Sequence, residues 1–260
     1  MENTKFVKSV KSTKSTKSIN CLQPFYNPES KLLEIGIDEV GRGPMFGRVY
    51  CAAVILPNNS DFKYELLKDS KKFSSKKKIN EIAEYIKENA ITWHISYEDE
   101  SIIDSINIRK TTHKIMQNAI LNITNNHNNI NNINNNILDG KLCNKYYLLI
   151  DGNDFKSYTY LNTESNMLEQ INHILIEGGD NKYCSIAAAS ILAKVERDKY
   201  ITEMCECYKK LVIYYDLDKN KGYGTAKHME GIKTYGISPW HRKTYGCCKD
   251  AKLNNADFYL

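Results

Sequence analysis

Four carboxylates stand where an acid is costly unless something compensates it. Asp38 and Glu39 close an apolar run containing Leu33, Ile35 and Ile37. Asp151 follows Tyr146-Tyr147-Leu148-Leu149-Ile150, and Asp180 comes just after a third apolar stretch at 171–177. Burying an unpaired carboxylate among such residues costs several kcal/mol. A hard divalent cation, Mg2+ or Mn2+, is the natural partner, since its ligands are oxygens and no Cys or His competes close by. Four acids around two such ions about 4 Å apart can activate a water and stabilise the leaving oxygen of a phosphodiester. For any single Asp a turn or capping role is the commoner explanation. Four acids, three of them at the ends of apolar strands, favour a shared site.

Directly after the first pair comes Gly41-Arg42-Gly43-Pro44. As a bare spacing this is a turn. Beside two acids it gains a second meaning: glycines let backbone groups approach a sugar, Arg42 can meet a phosphate, and a 2′-hydroxyl is what distinguishes RNA from DNA there. The run Asp69-Ser70-Lys71-Lys72-Phe73 opens a helix, so it suits either a solvated cap or phosphate binding. Lys221-Gly222-Tyr223-Gly224-Thr225-Ala226-Lys227-His228 sets an aromatic ring among basic groups, a combination suited to stacking on a sugar or base.

The elements that must position these groups alternate between strand and helix. Strands are expected at about 32–38, 49–56, 91–97, 146–150 and 171–177, and helices at 74–89, 106–123 and 185–210. Ser74 or Ser75 can cap the first helix, and Ile79, Ile82, Ala83 and Ile86 repeat at helical spacing. Ten of the fifteen residues 122–136 are Asn, which reads as an exposed low-complexity loop, an insertion at about 124–137. Residues 1–30 form a basic extension expected to be disordered, 31–210 the catalytic domain, and 211–260 a small helical C-terminal region.

The net charge is +5, but five lysines against Glu2 in the first twenty residues account for +4 of it. Any nucleic-acid surface must therefore be a local patch on a nearly neutral body. No stretch approaches the roughly 18–20 apolar residues of a membrane span. The eight cysteines follow no apolar leader and lack C-x-x-C pairs, so free thiols in a reducing, cytoplasmic setting are expected. The basic tail leaves a nuclear or organellar address open.

As a set the residues resemble the type 2 ribonucleases H (ribonuclease HII), and the bacterial branch in particular. The matching blocks, in order, are Gly36-Ile37-Asp38-Glu39-Val40-Gly41-Arg42-Gly43-Pro44, Asp69-Ser70-Lys71-Lys72, Ile106-Asn107-Ile108, Leu149-Ile150-Asp151-Gly152-Asn153 and Gly179-Asp180. They continue with the run 186–198, then Lys221-Gly222-Tyr223-Gly224-Thr225 and Ser238-Pro239-Trp240-His241-Arg242-Lys243. The resemblance implies an α/β ribonuclease H-like fold: a mixed five-stranded sheet flanked by helices, with a small helical C-terminal extension. It places the metal ligands and catalytic acids on Asp38, Glu39, Asp151 and Asp180, with two Mg2+ or Mn2+ ions. In this expectation Asp38 and Asp151 hold the ion that activates the water, and Glu39 and Asp180 complete the site.

The resemblance assigns sensing of the 2′-hydroxyl to Gly41, Arg42 and Gly43, and stacking at an RNA–DNA junction to Tyr223. Ser70, Lys71, Asn107, Asn153, Lys182 and His228 join them as candidate nucleic-acid contacts. The implied activity is endonucleolytic cleavage of RNA in RNA–DNA hybrids, and nicking 5′ of single ribonucleotides in duplex DNA. The rivals are another ribonuclease H-like nuclease and a non-catalytic hybrid-binding subunit. A monomer is expected. Phe258-Tyr259 hints at a sliding-clamp peptide, but Lys252 and Asn255 occupy positions that need Gln and an apolar residue, so clamp binding is not expected.

Overall fold

A computed structural model describes residues 21–134, 142–162 and 165–258. The expected disorder of residues 1–20 lies outside the described residues, as do positions 135–137 of the Asn-rich insertion and Tyr259 of the clamp-like terminus. The sheet is built from β1 (Leu33–Val40), β2 (Val49–Ile55), β3 (Thr92–Glu98), β4 (Tyr146–Asp151) and β7 (His173–Ile176) in the order β3-β2-β1-β4-β7. Strand β1 runs antiparallel to β2 and parallel to β4, while β7 is parallel to β4, so the sheet is mixed. A separate hairpin, β5 (Thr159–Asn162) with β6 (Met167–Gln170), had no counterpart in the sequence reading.

Helices cover both faces. Residues of β2 alternate between them: Ala52 and Val54 join the core beneath α1 (Lys76–Asn89) and α4 (Cys184–Cys207), while Cys51, Ala53 and Ile55 join the core beneath α3 (Ile108–Asn134). Coverage on both sides is why every residue of β2 is buried and why it reads as a continuous apolar run. Ser75 caps α1 by accepting from the Lys78 amide, and Ile79, Ile82, Ala83 and Ile86 form its inner face. Where β1 crosses the start of α4 the two backbones touch. A Cβ on Gly36 would lie 2.1 Å from the Ser185 carbonyl carbon, so only glycine fits. All eight cysteines are free thiols. Among the described residues no helix is long and apolar enough to cross a membrane.

Three expectations need correction. Residues 21–30 are not a loose continuation of the tail. Gln23 pairs with the backbone of Lys182 and Cys184, and the buried Glu34 carboxylate accepts from the Tyr26 and Asn27 amides. The Asn-rich segment is helical as far as Asn134, where an exposed loop was expected. Asn is a poor helix former, but here it only extends a helix already nucleated by residues 108–123, and His127 is fastened to the Tyr146 hydroxyl at 2.7 Å. Finally, the helix expected from residue 106 begins at Ile108 as α3, and an unexpected helix precedes it. A short α2 (Glu100–Ile106), capped by Asp99, ends at Asn107, whose positive φ of 69° breaks it from α3.

Beyond α4, α5 (Lys209–Tyr215), α6 (Leu217–Asn220) and α7 (Ala226–Tyr235) form the C-terminal helical region. An irregular stretch after α7 returns to the residues following β1, with a bridge between Phe46 and His241.

Candidate active site

Register brings the first and third acids together. Ile37 pairs with Ile150 across parallel β1 and β4, so Asp38 and Asp151 come next on neighbouring strands, roughly 5 Å apart in backbone spacing. Ile35, Ile37, Leu148 and Ile150 point to the α3 side, so alternation turns Asp38 and Asp151 to the opposite face, toward α4. Asp180 arrives from β7 through a tight turn, with Gly178 left-handed and residues 179–181 in a single 3-10 turn. Three strand ends thus deliver acids to one edge of the sheet, the usual position for a site in an open α/β fold.

The carboxylates disturb one another. Burial raises the Asp38 pKa well above the ordinary carboxylate range, and the charges of Glu39 and Asp151 push it further. Burial brings Glu39 up to about 7 against the pull of Arg42, whose guanidinium lies 3.3 Å away. Asp180 is raised by burial and by the charges of Asp151 and Asp69. Such a group of acids is a place prepared for positive charge. An all-oxygen, anionic donor set fits a hard divalent cation. As the side chains lie, however, no three ligating groups among the described residues converge into a ready cage. Asp151 accepts from the Gly179 amide at 2.6 Å, and Asp180 accepts from Asn181 and faces Lys71 at 3.8 Å.

The remaining candidates divide. Gly41, Arg42 and Gly43 follow β1 immediately, and a Cβ on Gly43 would stand 3.6 Å from the Tyr223 ring, so loop and half-exposed tyrosine are neighbours. Lys71 reaches Asp180, but Ser70 is buried and bonds the Ser190 hydroxyl at 3.0 Å behind it. Asn153 and Lys182 are exposed and converge on Glu177, the first through its carboxylate and the second through its carbonyl. The Asn107 side chain accepts from the Lys110 amide at the start of α3. His228 cannot be a surface contact. Thr225 caps α7 in a way that turns His228 inward, where it is fully buried and bonded to the Tyr223 carbonyl and to His241.

Several further residues surround the site in ways that the sequence does not reveal. Asp69 accepts from Asn181 beside Asp180, and Lys72 also bonds Asn181. Arg197 and Arg242 are buried guanidinium groups directed at backbone carbonyls of residues 41–48. Nothing in their sequence spacing separates them from surface arginines. Gly41 is wedged against the first, having φ +95° and a would-be Cβ 2.4 Å from Arg197 Nε. Gly41→Ala is therefore expected to lower stability by about 1–3 kcal/mol and to displace the loop. Thermal melts and steady-state cleavage should both fall; wild-type values in both would contradict this placement.

A family model described as ribonuclease HII matches residues 35–247. A ribonuclease HII of Bacteroides thetaiotaomicron is 39% identical over 90% of this chain and 98% of its own length. The chain belongs to the ribonuclease HII family. Membership makes it a ribonuclease H, of the bacterial-like kind that the motif order suggested. The fold agrees: a ribonuclease H2 from Pyrococcus horikoshii superposes with TM-score 0.58 at 18% identity, covering 84% of this chain and 96% of that one. Bst ribonuclease HIII in complex with Mn2+ gives TM-score 0.59 at 16% identity, covering 85% and 70%. The mixed five-stranded sheet with flanking helices is thus the ribonuclease H-like architecture.

Proposed function

We propose that the protein hydrolyses the RNA strand of RNA–DNA hybrids and nicks duplex DNA on the 5′ side of a single embedded ribonucleotide, leaving 5′-phosphate and 3′-hydroxyl ends. Such nicking would initiate removal of misincorporated ribonucleotides. The observation that carries the reading is the adjacency of two unlike features. A cluster of mutually repelling carboxylates closes the strands, and a glycine-lined loop with an exposed tyrosine lies immediately beside it. A surface that only bound nucleic acid would gain nothing from negative charge next to a phosphate.

In this reading Asp38, Glu39, Asp151 and Asp180 would hold two Mg2+ or Mn2+ ions, in keeping with their all-oxygen donor set and with the Mn2+ complex of Bst ribonuclease HIII. Bound there, the ions would supply a water nucleophile active at neutral pH and charge stabilisation for the leaving oxygen. The chain's own groups do the rest. Arg42 and Lys71 flank the acids and would hold phosphates on either side of the scissile bond. Tyr223, half exposed, would stack against the nucleotide step beyond the ribose. The small loop would admit a sugar close enough to test its 2′-hydroxyl.

Mapping the ends produced from a DNA duplex carrying one ribonucleotide tests this. A single nick 5′ of the ribonucleotide, with 5′-phosphate and 3′-hydroxyl ends, is expected. Cutting of all-DNA branched substrates instead would point to a resolvase-like nuclease, and tight binding without cutting to a non-catalytic subunit. Arg42→Ala should weaken duplex binding by about tenfold, the worth of one charge-assisted hydrogen bond, and reduce the preference for a ribose. An unchanged Kd measured by fluorescence anisotropy would remove Arg42 from the interface.

A further inference from the structure

Residues 238–245 lie far along the chain from the loop at 41–43, yet they fasten both parts of the surface that would meet the ribose. Arg242 is fully buried, and its guanidinium goes to backbone carbonyls. It donates to Gly41 at 2.6 Å, Arg42 at 3.0 Å, Gly47 at 2.9 Å and Arg48 at 3.2 Å. The Tyr245 hydroxyl donates to the Arg42 carbonyl as well, at 2.8 Å. Backbone bonds complete the seam, from the Arg242 amide to the Met45 carbonyl and from the Gly47 amide to the Trp240 carbonyl, each 2.8 Å.

These contacts decide which way the loop faces. In a trans peptide the C=O of one residue and the N–H of the next point in opposite directions. Drawing the Gly41 and Arg42 carbonyls inward therefore turns the Arg42 and Gly43 N–H groups outward. Neither amide has a hydrogen-bond partner among the described residues, and both residues are exposed.

The same segment reaches Tyr223 by a second route. The Tyr223 carbonyl accepts from His228 Nδ1 at 2.9 Å, so the proton sits on Nδ1. His228 Nε2 then accepts from His241 Nε2 at 2.9 Å, and His241 Nδ1 accepts from the Ser238 amide at 3.0 Å and hydroxyl at 2.7 Å. Each ring nitrogen has one role, which requires two neutral imidazoles. Burial holds both below the usual histidine range.

We propose that Arg242 is a positioning residue for ribonucleotide recognition: it aims the Arg42 and Gly43 amides at the 2′-hydroxyl, and through residues 238–241 it keeps them in register with the Tyr223 ring. This rests on the functional reading above, that the loop and Tyr223 face the ribose. A lysine cannot replace the fork, because its three donors radiate from one point and cannot span four carbonyls.

The test compares two substrates: a DNA duplex with a single ribonucleotide, and a uniform RNA–DNA hybrid. The hybrid offers a 2′-hydroxyl at every register, so a displaced loop still finds one. In Arg242→Lys, kcat/KM should fall about 100-fold on the single-ribonucleotide duplex, the usual cost of a 1 Å misplacement, and less than about tenfold on the hybrid. Tyr245→Phe removes one donor from the Arg42 carbonyl and should shift the ratio of the two substrates the same way by about fivefold. Equal falls on both substrates, as from general loss of structure, would overturn the proposal. If Arg242→Lys does not fold, Tyr245→Phe decides alone, and an unchanged ratio overturns it. A wild-type protein that cleaves the hybrid but never nicks the single-ribonucleotide duplex would instead overturn the functional reading.

Discussion

Asp38→Asn should lower the single-turnover rate of cleavage by about 10³-fold or more. Losing one donor of a preorganised electrostatic site already costs about 10²–10³, and Asp38 sits at the centre of this one. Two accompanying results separate this from simple damage. Asn is the same shape and its oxygen can still accept from the Glu39 amide, as Asp38 does at 2.7 Å, so the fold should persist. It also removes a carboxyl group whose ionisation is opposed by burial and by the charges of Glu39 and Asp151, so in metal-free buffer near neutral pH the variant should melt at a higher temperature than the parent. Duplex binding, measured with metal chelated, should be retained or tightened, since a negative charge beside phosphates has gone. Turnover within tenfold of the parent would remove Asp38 from the chemistry.

The second large effect is on stability and follows from the same repulsion. Glu39 ordinarily titrates at 4.5 and is raised to about 7 in the folded protein. Below pH 4.5 both folded and unfolded chains carry the proton and no difference arises. Between 4.5 and 7 the unfolded chain releases it while the folded one retains it, so stability falls as pH rises, and above 7 the full penalty is felt. With a side chain only 15% exposed, solvent screening is small, and the shift amounts to on the order of 3 kcal/mol, or roughly 5–10 °C in Tm. The raised Asp38 and Asp180 act in the same direction. Mg2+ bound by the ionised carboxylates should relieve the penalty. The rise in Tm on adding Mg2+ should therefore be clearly larger at pH 8 than at pH 5, and much reduced in Asp38→Asn. An equal rise at both pH values would mean that the cation binds elsewhere.

Much of the candidate site is legible in the chain because each piece of it is local. Strand β1 announces itself by Ile35 and Ile37 and ends on its acids; β4 does the same before Asp151. What local pattern cannot carry is register. That Asp38 and Asp151 are neighbours on one face depends on Ile37 meeting Ile150 across a parallel ladder, a long-range pairing that no window of sequence contains. Burial of charged and polar residues was equally hidden. Lys221 to His228 has the composition of a solvated face, yet the helix begun by Thr225 turns His228 into the core. Arg197 and Arg242 look like further basic residues until their guanidinium groups are seen filling with backbone carbonyls what an acid would otherwise fill. The Asn-rich stretch misleads in the opposite sense. Its composition disfavours a helix, but extending an existing helix needs no new nucleus.

In the proposed function the carboxylates at the strand ends act on a phosphodiester through divalent metal, next to a loop that requires a ribose. One measurement addresses it most directly: the single-turnover rate of nicking of a one-ribonucleotide DNA duplex, followed as Mg2+ is raised from a chelated start. No nick is expected in chelator, then a rise with Mg2+ to a plateau, with the cut confined to the 5′ side of the ribonucleotide. Undiminished cleavage in chelator, or equal cutting of the same duplex with a deoxyribonucleotide at that position, would contradict it.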